Sequence, residues 1–284
     1  MSEMSEKVCI VTGSNSGIGK ETTLALASMG ATMVMVVRDM ERGETARREI
    51  SEKTGHSSTD LMLCDLSSQE SIRRFADAFK GKYDKLHVLI NNAGAEYDVR
   101  QVTVDGFERT LAVNYLAPFR LTHELLPLLK AGVPSRVINI TSGLHKSGNV
   151  NFEDLQSEKD YDGMRAYANA KLMVLMFTYE LARRLEGTGI TVNVVHPGFA
   201  ATNLGRNTGS LRSSLMFKVM RPFQTSARKA AETSIYLASS PDVEAVTGKY
   251  FRRKQEATSS PTSYDERMQK RLWDVTADLL GLEH

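Results

Sequence analysis

A tyrosine and a lysine four residues apart are the pair in this sequence best suited to proton transfer. Tyr167 and Lys171 occur in the segment Tyr-Ala-Asn-Ala-Lys, and in a helix this spacing places both side chains on one face. A free phenol has a pKa of about 10 and is a poor proton shuttle near neutral pH. A neighbouring ammonium stabilises the phenolate, so we expect Lys171 to lower the pKa of Tyr167. The alternative for the isolated pair is an ordinary surface contact.

A glycine-rich segment near the N-terminus has the pattern of an anion-binding turn. It reads Thr12-Gly13-Ser14-Asn15-Ser16-Gly17-Ile18-Gly19 and joins a predicted strand to a predicted helix. Gly13 would allow the tight turn, Gly17 would let the backbone approach a pyrophosphate, and Gly19 would permit close helix packing. The helix N-terminus would then face the anion. An ordinary turn is the alternative, because a glycine pattern alone is weak evidence.

Further polar residues follow the ends of predicted strands. The segment Asn91-Asn92-Ala93-Gly94 closes one strand, Ser142 closes another, and Asn114 lies between them in the sequence. Ligands of open α/β sheets gather beside the carboxyl ends of the strands. These positions therefore suit a binding site, although the asparagines could also be simple turn formers.

Short apolar runs alternate with longer helical patterns along the chain. The predicted strands are residues 7–12, 32–37, 60–64, 86–91, 136–141, 191–196 and 248–251. The predicted helices are residues 17–29, 40–52, 68–83, 111–129, 167–185 and 227–237. Nearly continuous apolar strands are typical of parallel strands covered on both faces. The pattern predicts an α/β fold with a doubly wound, mostly parallel seven-stranded sheet, helices on both faces, and a single domain over residues 1–284.

Two irregular segments interrupt this alternation, residues 143–165 and 203–224. Long irregular segments in compact α/β proteins often form active-site walls. In the second segment, Gly205 and Gly209 precede an apolar cluster around Phe217. We therefore predict that residues 203–224 form a substrate lid; a helix docked on the core is the alternative.

The charge balance and the cysteine count exclude several classes of protein. The 36 basic and 34 acidic side chains give a net charge of +2, which does not favour binding to a nucleic-acid backbone. Cys9 and Cys64 lie in apolar runs and can build neither a disulfide framework nor a four-ligand metal site. We expect no metal ion and no nucleic acid.

The histidines and the N-terminal segment also favour a protein without a metal site or a membrane span. None of the histidines has metal-ligand spacing; His145, just after Ser142, either borders the substrate or is a solvated loop residue. The polar N-terminus precedes a strand, and no apolar stretch approaches the roughly 18 residues that a membrane span requires. We expect a cytoplasmic protein with no membrane span.

The three motifs occur in an order that identifies a family resemblance. A Thr-Gly-x-x-x-Gly-x-Gly turn, Asn-Asn-Ala-Gly and a Tyr-x-x-x-Lys helix together resemble the short-chain dehydrogenase/reductase family over nearly the whole chain. Residues 94–114, Phe152-Glu153-Asp154-Leu155, His196-Pro197-Gly198 and Arg271-Leu272-Trp273 resemble its retinol dehydrogenase branch, which interconverts lipophilic aldehydes or ketones and alcohols with NADP(H). The resemblance implies a Rossmann-type oxidoreductase that transfers a hydride between a nicotinamide and a carbonyl or alcohol. It suggests a homodimer or homotetramer, with a monomer as the alternative, because monomers exist among membrane-associated relatives.

The resemblance also implies a role for individual residues. Tyr167 would be the acid in reduction and the base in oxidation, and Lys171 would bind the nicotinamide ribose. Ser142 would hold the substrate oxygen, and Asn114 would support a water-linked proton relay. The residues expected to contact the cofactor are Gly13, Ser14, Asn15, Ser16, Gly17, Ile18, Gly19, Arg38, Asp65, Leu66, Asn92, Ala93, Gly94, Tyr167, Lys171, Pro197, Gly198 and Thr202.

The end of the second strand predicts NADP(H) rather than NAD(H). NAD-specific sites commonly place a carboxylate there to bind the adenosine ribose. This chain has Val37 at about that position, followed by Arg38, whose planar fork of donors suits a 2′-phosphate. Asp39 could contact a ribose after a small shift in register. We expect Arg38 to bind the 2′-phosphate of NADP(H). The alternative is that Arg38 is exposed to solvent at the end of the strand and binds no ligand.

Two other classes of protein remain as alternatives. One is a different enzyme on a similar fold, such as an epimerase, a dehydratase or a methyltransferase, but these do not explain Tyr167 together with Lys171. The other is a non-catalytic nucleotide-sensing protein, because a fold alone does not establish activity. Ser142, Tyr167 and Lys171 favour an enzyme over both.

Overall fold

A single eight-stranded sheet forms the centre of the molecule. The computed structural model describes residues 4–55, 58–198 and 225–283. The strand order is β3-β2-β1-β4-β5-β6-β7-β8, and every neighbouring pair is parallel except β7 with β8. The strands are β1 (Val8–Thr12), β2 (Thr32–Val37), β3 (Thr59–Leu63), β4 (Val88–Asn91), β5 (Ser135–Ile140), β6 (Ile190–Val195), β7 (Tyr250–Arg252) and β8 (Gln255–Glu256). The predicted doubly wound, mostly parallel sheet is confirmed.

The eighth strand was not predicted, and a tight turn creates it. Arg253 and Lys254 have φ angles of 53° and 62°, in the left-handed region. Two consecutive residues of this kind form the hairpin turn that best matches the twist of two antiparallel strands. The chain therefore folds back on β7 for two residues and adds a short antiparallel edge.

Helices cover both faces of the sheet. They are α1 (Gly17–Ser28), α2 (Met40–Thr54), α3 (Gln69–Lys80), α4 (Arg109–Leu111), α5 (Ala117–Ala131), α6 (Gly163–Arg184), α7 (Ala227–Ser239) and α8 (Glu266–Leu280). A π-helical segment, Ala112–Leu116, joins α4 to α5, and 3-10 turns span Gly143–Ser147, Pro241–Val243 and Pro261–Tyr264. None of the helices in the described ranges is long and apolar enough to cross a membrane.

Two apolar layers hold the helices on the sheet. One contains Phe75 of α3, Phe119 of α5, Phe177 of α6 and Trp273 of α8, with the rings of Phe119 and Trp273 4.7 Å apart between centroids. The other contains Leu26 of α1, Ile50 of α2 and Leu237 of α7. Because both faces are covered, the inner strands are apolar on both sides, as the sequence pattern predicted.

The strand order creates one crevice at the carboxyl edge of the sheet. β1 pairs with β2 on one side and β4 on the other, so successive crossovers move away from β1 in opposite directions. Ligands of doubly wound sheets bind at this switch point. Thr12 ends β1 and Asn91 ends β4, so the glycine-rich turn and the Asn-Asn-Ala-Gly segment meet there. The predicted lid, residues 203–224, lies outside the described residues.

Candidate active site

Helix α6 carries Tyr167 and Lys171 on one buried face. The helix begins at Gly163, where Asp162 accepts a hydrogen bond from the Arg165 amide at 2.7 Å. Tyr167 therefore lies in the second turn of α6. The sequence analysis had predicted that the helix begins at Tyr167, which is wrong. The Lys171 Nζ atom is 5.5 Å from the centroid of the Tyr167 ring. The predicted sharing of one face is confirmed.

Lys171 is anchored to the end of β5. Its Nζ atom donates a hydrogen bond to the Ile140 carbonyl at 3.0 Å, and its own carbonyl accepts one from Thr141 Oγ1 at 2.8 Å. The side chain is only 3% exposed, and burial lowers the pKa of Lys171 to about 8. The ammonium is thus the main form at neutral pH, and it is held at a defined point beneath the site.

The pKa of Tyr167 is raised, whereas the sequence analysis expected Lys171 to lower it. Burial is the largest cause, the charge of Glu96 adds to it, and a hydrogen bond from Ser142 acts in the opposite direction. The Lys171 ammonium donates its hydrogen bond to the Ile140 carbonyl, and it is not among the causes that shift the pKa of Tyr167 in this structure. Within this chain, Tyr167 keeps its proton at neutral pH.

Ser142 lies beside Tyr167 although 25 residues separate them in the sequence. It follows β5 and caps the 3-10 turn Gly143–Ser147, where its Oγ atom accepts a hydrogen bond from the Leu144 amide at 3.3 Å. The long segment of chain between the two residues therefore does not keep the predicted catalytic groups apart. Ser142, Tyr167 and Lys171 form one cluster at the carboxyl end of β5.

His145 is neither a solvated loop residue nor free to turn. It is fully buried, with its ring 5.5 Å from that of Tyr250 between centroids, and its Nδ1 atom is 2.6 Å from the Ser142 carbonyl. A carbonyl can only accept, so Nδ1 carries the proton and donates it. His145 thereby fixes the backbone of Ser142, a role that the sequence analysis did not identify.

Asn114 lies in the π-helical segment and is nearly fully buried. Its Nδ2 atom donates to the carbonyls of Ala95 and Thr110 at 2.6 and 2.8 Å, and its Oδ1 atom accepts from the Ala95 amide at 3.3 Å. Single-turn π segments in helices frequently mark functional sites. In this structure Asn114 binds the loop after β4 to the helix, which positions that loop beside α6.

The residues of the glycine-rich turn fit a dinucleotide phosphate. Ser16 caps α1 without a side-chain hydrogen bond, so the positive end of the helix is open to an anion. Gly17 has a φ of +55°, and a Cβ atom there would meet nothing within 4 Å, which leaves room for a ligand against the backbone. Ser14 is fully buried, and its Oγ atom has no protein partner among the described residues.

Asn92 and Gly19 act in packing at the same turn. The Asn92 side chain donates to the Thr12 carbonyl at 2.8 Å, and Thr12 Oγ1 accepts from the amides of Asn92 and Ala93, both at 3.0 Å. A Cβ atom on Gly19 would lie 2.4 Å from the Gly13 carbonyl oxygen. The predicted close packing at Gly19 is confirmed, and the Asn92 side chain joins β1 to β4.

The ends of β2 and β3 present the residues predicted to bind the adenosine. Arg38 is exposed directly after β2. Asp39 caps α2, where its Oδ1 atom accepts from the Arg42 amide at 3.0 Å, so the carboxylate is already engaged. Asp65, followed by Leu66, uses Oδ1 to bind the amide and hydroxyl of Ser67 at 2.9 and 2.7 Å. Arg38 and Asp65 thus flank neighbouring strand ends.

The His-Pro-Gly segment follows β6 on the other side of the crevice. The His196 amide donates to the Phe251 carbonyl at 2.9 Å, and burial lowers the pKa of the His196 ring to about 4. Gly198 has a φ of +87°, and a Cβ atom there would meet nothing within 4 Å. Pro197 and Gly198 therefore lie where expected, whereas Thr202 is outside the described residues.

One buried carboxyl near Tyr167 was missed by the sequence analysis. Glu96 is 5% exposed and follows the Asn-Asn-Ala-Gly segment by two residues. Burial and the charges of Asp98 and Asp162 raise the pKa of its carboxyl. The sequence could have indicated Glu96 by its position just beyond the end of β4, because ligand-facing loops of such sheets begin there.

Comparisons with known proteins agree with a nucleotide-binding oxidoreductase fold that carries this site. The family model for short chain dehydrogenase matches residues 7–212. The chain therefore belongs to the short-chain dehydrogenase family. It is 43% identical to retinol dehydrogenase 12 from Homo sapiens, over 97% of this chain and 87% of that protein, and 43% identical to retinol dehydrogenase 13 from Mus musculus, over 97% and 84%. The resemblance to the retinol dehydrogenase branch is confirmed.

Solved structures show the same fold. An uncharacterized protein from Mycobacterium paratuberculosis has a TM-score of 0.80 and 32% identity, over 98% of this chain and 95% of that one. The NADP active-site complex of Pseudomonas aeruginosa RhlG has a TM-score of 0.70 and 26% identity, over 87% and 94%. A Rossmann-type fold and an oxidoreductase family are thus established for this chain.

Proposed function

We propose that this protein is an NADP(H)-dependent carbonyl reductase that acts on lipophilic aldehydes or ketones. The observation that supports it best is the cluster of Ser142, Tyr167 and Lys171 at the carboxyl end of β5. This cluster lies on the same edge of the sheet as the open N-terminus of α1. A proton donor and an anion-binding turn on one edge suit a reaction between a bound dinucleotide and a carbonyl.

The chain's own residues would supply orientation and the proton. When bound, the dinucleotide supplies the hydride that adds to the carbonyl carbon. Ser142 would donate a hydrogen bond to the carbonyl oxygen, and Tyr167 would give that oxygen its proton. Lys171 would hold a ribose hydroxyl and, through its positive charge, stabilise the phenolate left on Tyr167. The α1 N-terminus and Gly17 would hold the pyrophosphate.

The electrostatics of Tyr167 favour reduction over oxidation. Burial and Glu96 raise the pKa of Tyr167, so the neutral phenol is the resting form. A neutral phenol is the form that donates a proton, which carbonyl reduction requires. Alcohol oxidation would first require this phenol to lose its proton, so we expect it to need alkaline pH.

The preference for NADP(H) rests on the end of β2. The Asp39 carboxylate already caps α2, so it is less available to accept hydrogen bonds from ribose hydroxyls. The exposed Arg38 can meet a phosphate with a planar, charged donor fork. The solved RhlG complex contains NADP, which supports the same choice.

The substrate class rests on the relatives. The curated proteins that cover nearly all of this chain are retinol dehydrogenases, whose name specifies a lipophilic alcohol. We therefore propose aldehydes and ketones with an apolar body, retinal among them. The predicted lid over residues 203–224 would supply the apolar cover.

Replacing Tyr167 by phenylalanine tests this function. NADPH oxidation is measured against aldehydes, ketones, quinones and retinal, with Tyr236→Phe on α7 as the matched control. Tyr167→Phe removes the proton donor and should lower turnover by about a hundredfold or more while NADPH still binds. Turnover within a few-fold of wild type would contradict the assignment. NADPH binding without turnover of any carbonyl would support a nucleotide sensor instead.

A further inference from the structure

Hydrogen bonds hold the loop after β4 on both sides of Glu96. On one side, Ala95 exchanges hydrogen bonds with the Asn114 side chain, at 2.6 Å from its carbonyl and 3.3 Å from its amide. On the other side, the Tyr97 carbonyl accepts a hydrogen bond from the Tyr161 hydroxyl at 2.8 Å. The backbone of Glu96 is therefore fixed between two anchored residues.

The same loop packs against the first turn of the helix that carries Tyr167. A Cβ atom on Gly163, the first residue of α6, would lie only 2.3 Å from the Tyr97 carbonyl oxygen. Glu96 is buried on this loop, and its charge raises the pKa of both Tyr167 and Tyr161. Because this loop meets the first turn of α6, one turn before Tyr167, Glu96 would lie beside the space in which the carbonyl binds.

Glu96 has no positive partner within the described parts of the chain. Its side chain is 5% exposed, and no lysine or arginine of these ranges forms an ion pair with it. The charged groups that act on it are also acidic, Asp98 and Asp162, and the nearby phenols of Tyr161 and Tyr167 are neutral. Among the described residues, the Glu96 carboxyl therefore lacks the ion pair that would offset the cost of its burial.

We propose that Glu96 is a specificity residue that sets the charge of the accepted substrate. It admits uncharged or cationic carbonyl compounds and rejects those with an anionic group close to the carbonyl. This inference rests on the proposed function, because it concerns the substrate of the same site. It separates lipophilic aldehydes and ketones from 2-oxo acids and short aldehyde acids, which an apolar pocket alone would separate less strongly.

The expected discrimination between charged substrates follows from the electrostatic interaction between the Glu96 carboxylate and a charge on the substrate. Two like charges in a partly buried site repel strongly enough to change binding of a transition state by about tenfold or more. A cationic group at the same place on the substrate should strengthen binding of the transition state by a comparable factor. The discrimination is therefore measurable with small aldehydes that differ only in one charged substituent.

Three para-substituted benzaldehydes with substituents of similar shape provide the probes. They are 4-formylbenzenesulfonate, 4-tert-butylbenzaldehyde and the 4-formyl-N,N,N-trimethylanilinium ion, whose charges do not change with pH. Their intrinsic reactivities differ, so the quantity compared is the ratio of kcat/KM values between protein variants. The variants are Glu96→Gln, Glu96→Met and Glu96→Asp, with Glu52→Gln, an exposed position on α2, as the control.

Removal of the charge should reverse the preference. Relative to the neutral aldehyde, kcat/KM for the sulfonate should rise about tenfold in Glu96→Gln and Glu96→Met, and that for the trimethylanilinium ion should fall by a similar factor. Glu96→Asp and Glu52→Gln should keep the wild-type ratios. NADPH-induced thermal stabilisation checks that each variant is folded.

The outcomes separate this inference from the proposed function. Unchanged ratios in the folded neutral variants, with activity that still depends on Tyr167, would overturn the role of Glu96 alone. A change in Glu96→Asp as large as that in Glu96→Gln would show that shape, and not charge, matters, and would also overturn it. Failure of the wild-type protein to reduce any carbonyl would overturn the proposed function itself.

Discussion

Burial of Lys171 lowers the free energy of unfolding of the protein, although the residue has a proposed role in the candidate active site. Its pKa is lowered to about 8 in the folded protein from 10.5, because burial disfavours the ammonium. The unfolded chain therefore binds more protons than the folded protein between these two pH values. The cost is fully present below about pH 8 and disappears as the pH rises towards 10.5.

Replacing Lys171 by methionine should expose this cost through its pH dependence. The free energy of unfolding of wild type, relative to that of Lys171→Met, should increase by about 2 kcal/mol between pH 7 and pH 10. Denaturant unfolding at several pH values measures it, and Lys53→Met, at the exposed end of α2, is the control. A difference between wild type and Lys171→Met that does not change with pH would contradict this prediction. The variant should also lose turnover and bind NADPH more weakly.

We expect His145 to act on catalysis only through the backbone of Ser142. Its Nδ1–H group donates to the Ser142 carbonyl, while its ring packs against Tyr250. His145→Phe keeps an aromatic ring but removes the donor, whereas His145→Asn keeps a donor at a similar position. Loss of one buried hydrogen bond is worth about 1 kcal/mol, or several-fold in kcat.

We therefore expect kcat to fall several-fold in His145→Phe and to stay near the wild-type value in His145→Asn. The KM for NADPH should not change in either variant, because the histidine does not lie on the predicted cofactor path. Steady-state kinetics with a saturating aldehyde measures both quantities. Equal losses of kcat in the two variants would show that His145 contributes packing and not the hydrogen bond.

The first residue of α6 determines how the catalytic helix meets the loop after β4. A Cβ atom on Gly163 would lie 2.3 Å from the Tyr97 carbonyl oxygen and 3.0 Å from the Asp98 Cα atom. Backbone atoms cannot move aside as easily as a flexible side chain can. An added methyl group must therefore push the helix start and the loop apart.

Gly163→Ala should lower the free energy of unfolding by about 1–3 kcal/mol. The matched control is Gly81→Ala at the end of α3, where φ is −71° and the nearest atom to a Cβ would be 3.5 Å away. That change should be neutral or slightly stabilising, since alanine restricts the unfolded chain. Thermal unfolding of both variants measures the difference. An equal Tm for the two would refute the close approach at Gly163.

The elements that the sequence predicts well are those with a repeated local pattern. The strands β1, β2, β4, β5 and β6 are largely buried and mostly apolar, and Tyr167 with Lys171 share a helix face by spacing alone. The missed elements depend on distant contacts. The edge strand β8 has two exposed polar residues, and helix α8 is held by Trp273 against Phe119 from the middle of the chain.

The same distinction applies to the site. Tyr167, Lys171 and the glycine turn belong to ordered motifs, and Ser142 and Arg38 follow predicted strands, so the sequence predicts that these residues lie at one edge of the sheet. Glu96 and His145 have no motif of their own, and their importance comes from burial that only the folded chain produces. Burial and Glu96, which raise the pKa of Tyr167 in the protein without its cofactor, act through tertiary structure, whereas the spacing of Tyr167 and Lys171 is local.

The whole sheet separates the two ends of a bound dinucleotide. The strand order β3-β2-β1-β4-β5 puts Arg38 at the end of β2 and the catalytic cluster at the end of β5, with β1 and β4 between them. With strands about 4.8 Å apart, three strand spacings separate these two strand ends by about 14 Å. Recognition of a 2′-phosphate by Arg38 would therefore be remote from the proposed chemistry, and we expect that it can be changed without disturbing that chemistry.

Arg38→Ala should accordingly change cofactor choice and leave the chemical step intact. The KM for NADPH should rise about tenfold or more, because a charged hydrogen-bonding partner of the phosphate is lost, while the KM for NADH and the value of kcat change little. Arg48→Ala, an exposed position further along α2, controls for the loss of one positive charge. Steady-state kinetics with both cofactors, and their thermal stabilisation of each variant, provide the measurements. Equal effects of Arg38→Ala on the two cofactors would show that this arginine does not recognise the phosphate, and a loss that Arg48→Ala reproduces would assign the effect to overall charge.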